Sequence, residues 1–358
     1  MKAIVRYGQA FGGYTMRDVP EPTCGPEDII LEIKAAAICG ADMKHWRVDN
    51  GSDEFNSIRG HEFAGEIVQV GEKVTDWKVG QRVVSDNSAH VCGVCPACEM
   101  GDFLCCEEKV NLGLDNNTWG GGFSKYCKIP GEILRIHKHA IWEIPEGVKY
   151  EEAAVLDPIC NAYKAVAQQS HLIPGQDVVV FGTGPLGLFS VQVAKLMGAV
   201  NIVMVGLDDD VKVRFGVAKE LGATHCVNGS KEDVVARCTE ICGRDNLGLV
   251  IECSGANIAL KQAIEMTRPN AEIVRVGMGF KPLEFSINDI TAWNKSIIGH
   301  MAYDSTSWRN CIRLLQSGQI KVQPMITHRL GLSQWQEGFD KMAKKEAIKV
   351  IFHYDYED

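Results

Sequence analysis

The sequence has no excess of positive charge. Lys and Arg number 37 against 46 Asp and Glu, a formal net charge of −9. A nucleic-acid binder needs a basic surface to displace counterions, so the composition argues against that class. One small anionic cofactor is still permitted, because a local site can oppose the global charge. A long apolar run is also missing. The most apolar stretch, residues 178–194, is broken by three Gly, a Pro, a Thr, a Ser and a Gln. It is too short and too interrupted for a membrane span. The opening MKAIVRYGQA carries Lys2 and Arg6 and no apolar signal core. Internal repeats and low-complexity segments are absent too. Apolar material itself is not scarce. It makes up 46% of 358 residues, enough to fold, and at roughly 150 residues per domain the length suggests two domains.

What the chain has in quantity is cysteine, 14 in all. Disulfide-rich scaffolds are short and carry a secretory leader. Neither applies here, so a cytoplasmic protein with reduced thiols is expected. Some cysteines should then be metal ligands and the others small core residues.

The first 150 residues read as mixed β. Short β-branched runs at 29–33 and 66–70 are separated by Gly, Pro, Asn and Asp. From about 151 the texture changes. A helical stretch at 151–169 is followed by a strand at 177–181, a glycine-rich turn and a helix at 188–197. Further strands are expected at 201–205, 249–252 and 272–276, with helical segments between them. Alternating strands and helices imply an α/β fold with a parallel sheet. The tail holds a helix at 308–317 and a strand at 349–353.

Gly182, Gly184 and Gly187, with Pro185 and Leu186 between them, form G-x-G-x-x-G after a strand and before a helix. Gly182 permits the tight turn, Gly184 lets a pyrophosphate approach the backbone, and Gly187 lets helix and strand pack closely. The helix N-terminus then offers free N–H groups to phosphate. The acid that should follow at the end of the next strand is replaced by Gly206. Asp208, Asp209 and Asp210 come slightly late, then Lys212 and Arg214. The glycine leaves room for a 2′-phosphate that Lys212 or Arg214 would pair with. Alternatively Asp208 reaches the ribose, or these charges only solvate a helix start. The choice between NAD and NADP stays open.

Cys92, Cys95, Cys98 and Cys106 form C-x2-C-x2-C-x7-C. Four thiolates within 15 residues suit a closed tetrahedral zinc site, which is structural because no position is open. The spacing departs from ferredoxin runs, which argues against an iron–sulfur cluster. Cys105 is adjacent to Cys106 and is an alternative fourth ligand. Elsewhere, Cys39, the pair His61-Glu62, and Asp157 are candidate ligands that no spacing rule connects.

The chain resembles the zinc-dependent medium-chain dehydrogenase family, in its polyol and threonine dehydrogenase branch. The resemblance rests on Gly60-His-Glu-Phe-Ala-Gly-Glu66, Cys39-Gly-Ala-Asp42, the four-cysteine loop, Gly182–Gly187, Ile251-Glu-Cys-Ser-Gly255 and the tail around Pro324–Arg329 and Gly338–Asp340. It implies a Rossmann domain (156–292) inserted in a mostly-β GroES-like catalytic domain (1–155 and 293–358). It selects Cys106 as the fourth structural ligand. It implies a second, catalytic zinc held by Cys39, His61 and an acid, either Glu62 or Asp157, so two zincs per subunit. The implied activity is hydride transfer between a secondary alcohol, of polyol or sugar-derived type, and NAD or NADP. Homodimers or homotetramers are the implied assemblies.

Two departures matter. The hydroxyl and the histidine that usually start the proton relay are replaced by Ala41 and Lys44. The proton is then expected to leave through water with Glu62, or through His45. The pocket candidates His45, Trp46, Trp119 and Tyr303 match family positions, but a polyol-binding arginine is replaced by Ala302. That loss weakens the case for a sorbitol-type substrate. Threonine-type amino alcohol oxidation is the second enzymatic reading, suggested by Asp157-Pro158 and the tail. A zinc-free quinone-type reductase or a non-catalytic nucleotide-binding protein is the third, and the Cys39 and His61-Glu62 set argues against it.

Overall fold

The structure, a computed structural model, describes residues 1–7, 13–47, 55–115, 117–279 and 281–356, with the side chains of residues 7, 45, 47, 55 and 56 outside that description. The chain divides into two units. The first comprises Met1–Asp157, Asp304–Gln316 and Ile326–Asp358; the second comprises Pro158–Tyr303 and Ser317–Met325.

The second unit is built on six parallel strands. Their spatial order is His225–Asn228, Ile202–Gly206, Asp177–Phe181, Leu247–Glu252, Glu272–Arg275, Ser296–Gly299. The three central strands are buried at every residue. That explains their unbroken Val and Ile content: a parallel sheet covered by helices on both faces has no polar side. The strand order reverses between Asp177–Phe181 and Leu247–Glu252, the doubly wound arrangement that places a ligand crevice at the carboxyl ends of the strands. Gly187 shows why the glycine loop is needed. A Cβ there would lie 1.8 Å from the Gly182 carbonyl oxygen, and Gly182 itself has φ 94°. The strand Ser296–Gly299 extends this sheet past the expected limit near 292, and the unit runs on to Tyr303.

The first unit is mostly β. Its large sheet runs Ile141–Glu143, Arg82–Ser85, Glu62–Val70, Ile29–Ala37, Lys349–His353, Ile326–Gly331, with Tyr126–Ile129 also paired to Ile29–Ala37. A smaller sheet joins Tyr14–Asp18, Lys2–Tyr7 and Phe55–Ile58. The core beneath them includes Ile29, Leu31 and Ile33, alternate residues of one strand, with Phe63, Phe123, Phe339 and Phe352. Phe339 meets Phe123 edge to face at 6.2 Å and Tyr14 at 5.5 Å. Each such fully buried side chain contributes about 1.5–3 kcal/mol of transfer free energy. Among the described residues no helix is long and apolar enough to cross a membrane.

Candidate metal and dinucleotide sites

Strand register assembles the first site. Ile29–Ala37 pairs antiparallel with Glu62–Val70, and Ala37 lies opposite Glu62. The residues just beyond that pair are Cys39, which leads into the helix Gly40–Arg47, and His61. A third strand, Lys349–His353, pairs with the other edge of Ile29–Ala37, with Ile351 opposite Ala37. Sequence-distant residues therefore meet because three strands end at one level. One ligand atom each from Cys39, His61 and Glu62 lies within 4.8 Å of the others.

Two residues that spacing could not reveal complete this site. Asp42, in the first turn of the helix, accepts a hydrogen bond from the Cys39 N–H through Oδ2 at 2.9 Å. Its Oδ1 lies 3.7 Å from His61 Nδ1, too long for a hydrogen bond but close enough for charge to act. Lys349 is almost fully buried, pairs with Glu62 Oε2 and donates to the Ile38 carbonyl at 3.2 Å. A buried ammonium persists only when paired. Burial works to strip the Lys349 proton, but Glu62 and Cys39 outweigh it and raise the pKa above the ordinary lysine value, with help from Asp157. Burial likewise opposes charge on His61, yet Cys39 and Asp42 hold its pKa well above the usual range. Burial and the nearby Glu62 push the Cys39 thiol up.

Three buried polar atoms here carry no hydrogen-bond partner: Asp42 Oδ1, His61 Nδ1 and Glu62 Oε1. Buried orphans of this kind are costly and call for a ligand or ion. A thiol, an imidazole and a carboxylate are a zinc donor set with room for one more ligand, so the residues fit the implied catalytic ion. Asp157 is not in that set among the described residues. Its Oδ2 accepts from Asn87 Nδ2 at 3.1 Å.

The four-cysteine loop also converges. Ligand atoms of Cys92, Cys95, Cys98 and Cys106 lie within 4.8 Å of one another. Cys105 is exposed and is not among them. The Val94 and Cys95 backbone N–H groups draw the Cys92 thiol down to about 7 against the cost of burial, while burial pushes Cys98 up to about 12. N–H groups aimed at sulfur favour thiolate, the form that binds metal. A Cys106→Ser variant should lose one zinc and roughly 2–4 kcal/mol of unfolding free energy, whereas Cys105→Ser should change neither. Equal metal loss in both variants would refute the assignment; metal analysis with denaturant unfolding reads it.

At the carboxyl end of the Rossmann sheet, Gly184 caps the helix Pro185–Leu196. Leu186 and Gly187 follow Pro185 in its first turn. The space at Gly206 is filled: a Cβ would meet Phe215 and Thr183 at 2.7 Å and Asp210 at 3.0 Å. The glycine therefore answers a packing need. Asp210 is buried and accepts from the Leu207 N–H at 2.8 Å. Arg214 is largely buried, with Nε 3.7 Å from Asp210 Oδ1, and burial lowers its pKa. Lys212 is exposed. Asp208 is half-exposed; its Oδ1 accepts from Asn228 at 2.7 Å and pairs with Lys231 at 3.3 Å. The Asn228 bond keeps Asp208 ionised to lower pH than usual.

Of the pocket candidates, Trp46 packs on the first unit's core and against Phe339 at 5.5 Å. Trp119 packs on the same core, half-buried. Tyr303 is buried, in the second unit. The His45 side chain lies outside the described residues.

Comparison with known proteins gives the family and the fold. The family described as zinc-binding dehydrogenase matches residues 185–317, and the alcohol dehydrogenase GroES-like domain matches residues 25–138. Over its full length the chain is 81% identical to YdjL of Escherichia coli (strain K12), an uncharacterized zinc-type alcohol dehydrogenase-like protein, covering 100% of both. It is 32% identical to the sorbitol dehydrogenase of Halalkalibacterium halodurans, covering 98% of each chain. Among solved structures, 2R,3R-butanediol dehydrogenase from Bacillus subtilis superposes with a TM-score of 0.86 at 29% identity, covering 99% of each chain.

Proposed function

The chain belongs to the zinc-type medium-chain dehydrogenase family, an NAD(P)-dependent oxidoreductase of CH–OH groups, and from that premise we propose that it oxidises a secondary alcohol of polyol or sugar-derived type with NAD. The observation that carries this reading is the Cys39–His61–Glu62 set, a half-buried thiol with a buried imidazole and a buried carboxylate whose Oε1 has no partner. Cys39, His61 and Glu62 would hold the catalytic zinc, and Cys92, Cys95, Cys98 and Cys106 a structural one. When bound, the catalytic ion supplies Lewis acidity toward the substrate oxygen.

The chain's own residues do the rest. The Asp42 carboxylate, 3.7 Å from His61 Nδ1, would favour a ring orientation in which Nε2 ligates, so of the unpartnered atoms Glu62 Oε1 is the one that faces the ion most directly. Lys349 pairs with the second oxygen of Glu62 and offsets the cost of burying that carboxylate. The glycine loop and the first turn of Pro185–Leu196 receive the pyrophosphate. Asp208, anchored through Oδ1, is the acid we place at the adenosine ribose, where its charge disfavours a 2′-phosphate. When bound, the nicotinamide would accept the hydride from the alcohol carbon, and the hydroxyl proton would leave through water with Glu62 or through His45, which yields the carbonyl. We assign the active form to a homo-oligomer. The edge strand Ser296–Gly299 supports this, because it exposes Ile297, and an apolar open edge invites pairing.

A substrate panel tests the reading. Four- to six-carbon polyols and threonine are offered with NAD and with NADP, alongside metal analysis of the purified chain. Turnover of a polyol with NAD in preference to NADP is expected, with two zincs per chain. No turnover of any secondary alcohol would count decisively against the proposal.

A further inference from the structure

The turn between the strands Arg82–Ser85 and Ser88–His90 carries Asp86 and Asn87. Asn87 has φ 61°, a left-handed conformation that asparagine tolerates better than most residues. Its backbone is tied on both sides. The N–H donates to Ser85 Oγ at 2.9 Å, and the carbonyl accepts from the Leu112 N–H at 2.7 Å. Asp86 is held as well, by the Ser88 N–H at 2.9 Å and by His137 Nε2 at 2.5 Å. The His137 ring in turn packs against Phe103 of the cysteine loop, with centroids 4.2 Å apart. The Asn87 side chain is buried, projects from this fixed turn, and donates from Nδ2 to Asp157 Oδ2 at 3.1 Å.

We propose that Asn87 is a positioning residue for Asp157, setting the orientation of that carboxylate beside the metal donor set. The inference rests on reading the Cys39–His61–Glu62 set as the catalytic metal site, on which Asp157 acts from outside the donor set. Leu112, which bonds the Asn87 carbonyl, leads into Gly113, where a Cβ would lie 2.8 Å from the His61 backbone nitrogen, so this turn packs against the donor set, and the Asp157 charge helps to raise the Lys349 pKa. An amide suits the task. It donates to a carboxylate without adding charge, and a residue with a locked backbone loses little entropy in doing so. The cysteine loop thereby braces Asp157 through Phe103, His137, Asp86 and Asn87.

The test separates the amide from the backbone. Asn87→Gly keeps the left-handed turn and deletes the donor. Asn87→Asp keeps the shape and sets a second carboxylate against Asp157. Metal release to excess chelator and the absorption bands of the cobalt-substituted protein are recorded for each variant, for Asp157→Asn, and for the double variant Asn87→Gly/Asp157→Asn. Both Asn87 variants should speed metal release from the Cys39 site by about tenfold or more and shift its cobalt bands. The double variant should match Asp157→Asn alone, because the two residues act as one unit. Unchanged release and bands in Asn87→Gly, or full additivity with Asp157→Asn, would overturn the inference. A wild-type chain that holds no metal at the Cys39 site would overturn the functional reading itself.

Discussion

Cys39→Ser should lower kcat/KM by about a thousandfold or more, roughly 4 kcal/mol of transition-state stabilisation. The thiol sits among His61 and Glu62 with ligand atoms within 4.8 Å, and no other cysteine belongs to that group among the described residues. Serine keeps the shape but offers a hard, protonated oxygen where a soft anionic sulfur is needed. Metal analysis should fall from two zincs per chain to one, because the four-cysteine loop is untouched. Secondary structure of the folded protein, followed by circular dichroism, should not change, since backbone groups make the ladder between Ile29–Ala37 and Glu62–Val70 and the metal adds only to its margin over slipped registers. Activity within tenfold of wild type after loss of that zinc would show that the ion at this site takes no part in the chemistry.

Lys349→Met should be the most destabilising single change at the site. Lys349 and Glu62 are each about 1% exposed. Removing the ammonium strands a carboxylate whose other oxygen has no partner, and breaking one side of a buried pair costs about 3–5 kcal/mol. Glu62→Gln alone should also destabilise, because it leaves the ammonium unmatched. The double variant Lys349→Met/Glu62→Gln should recover a large part of the loss, since neither charge remains. Denaturant midpoints, taken before and after chelation, give the check. Zinc at the proposed site would supply Glu62 with a second cation, so the loss should be smaller in the loaded protein. Equal losses in the two states would place Glu62 outside the metal's reach. A double variant as unstable as the sum of the single ones would show that Lys349 and Glu62 do not act as a pair.

Local features were legible in the sequence and long-range ones were not. The cysteine loop and the glycine loop are coded within a few residues, so spacing points to their chemistry once the strand and helix around the glycines, and the family resemblance that chooses Cys106 over Cys105, are added. The strand at 349–353 was readable from its β-branched run and is observed as Lys349–His353. Lys349 itself gave no signal, because its partner Glu62 is 287 residues away. Asn87 was silent for the same reason, 70 residues from Asp157. Asp42 lay inside a quoted motif, but its contact with His61 appears only once the two strands are aligned. The strand Ser296–Gly299 escaped notice because it is a mostly exposed edge with no burial alternation to read. His225–Asn228 escaped because it is only four residues long and half-buried. The helical reading at 151–169 holds in part. The segment is Tyr150–Ala153, then Leu156–Tyr163, then a wide-turned π segment at Lys164–Gln169. Residue periodicity does not resolve such breaks.

The pairing of Ala37 with Glu62 has one more consequence. A slip of a single residue along those strands would carry Glu62 to the opposite face of the sheet and part it from Cys39. An ion that needs both ligands can bind only the correctly aligned chain, and by mass action it favours that chain over every slipped one. Zinc held there would thus be a proofreader of the sheet as well as a participant in the reaction, and the fraction of chains that load metal after refolding would count those whose strands have come to rest in step.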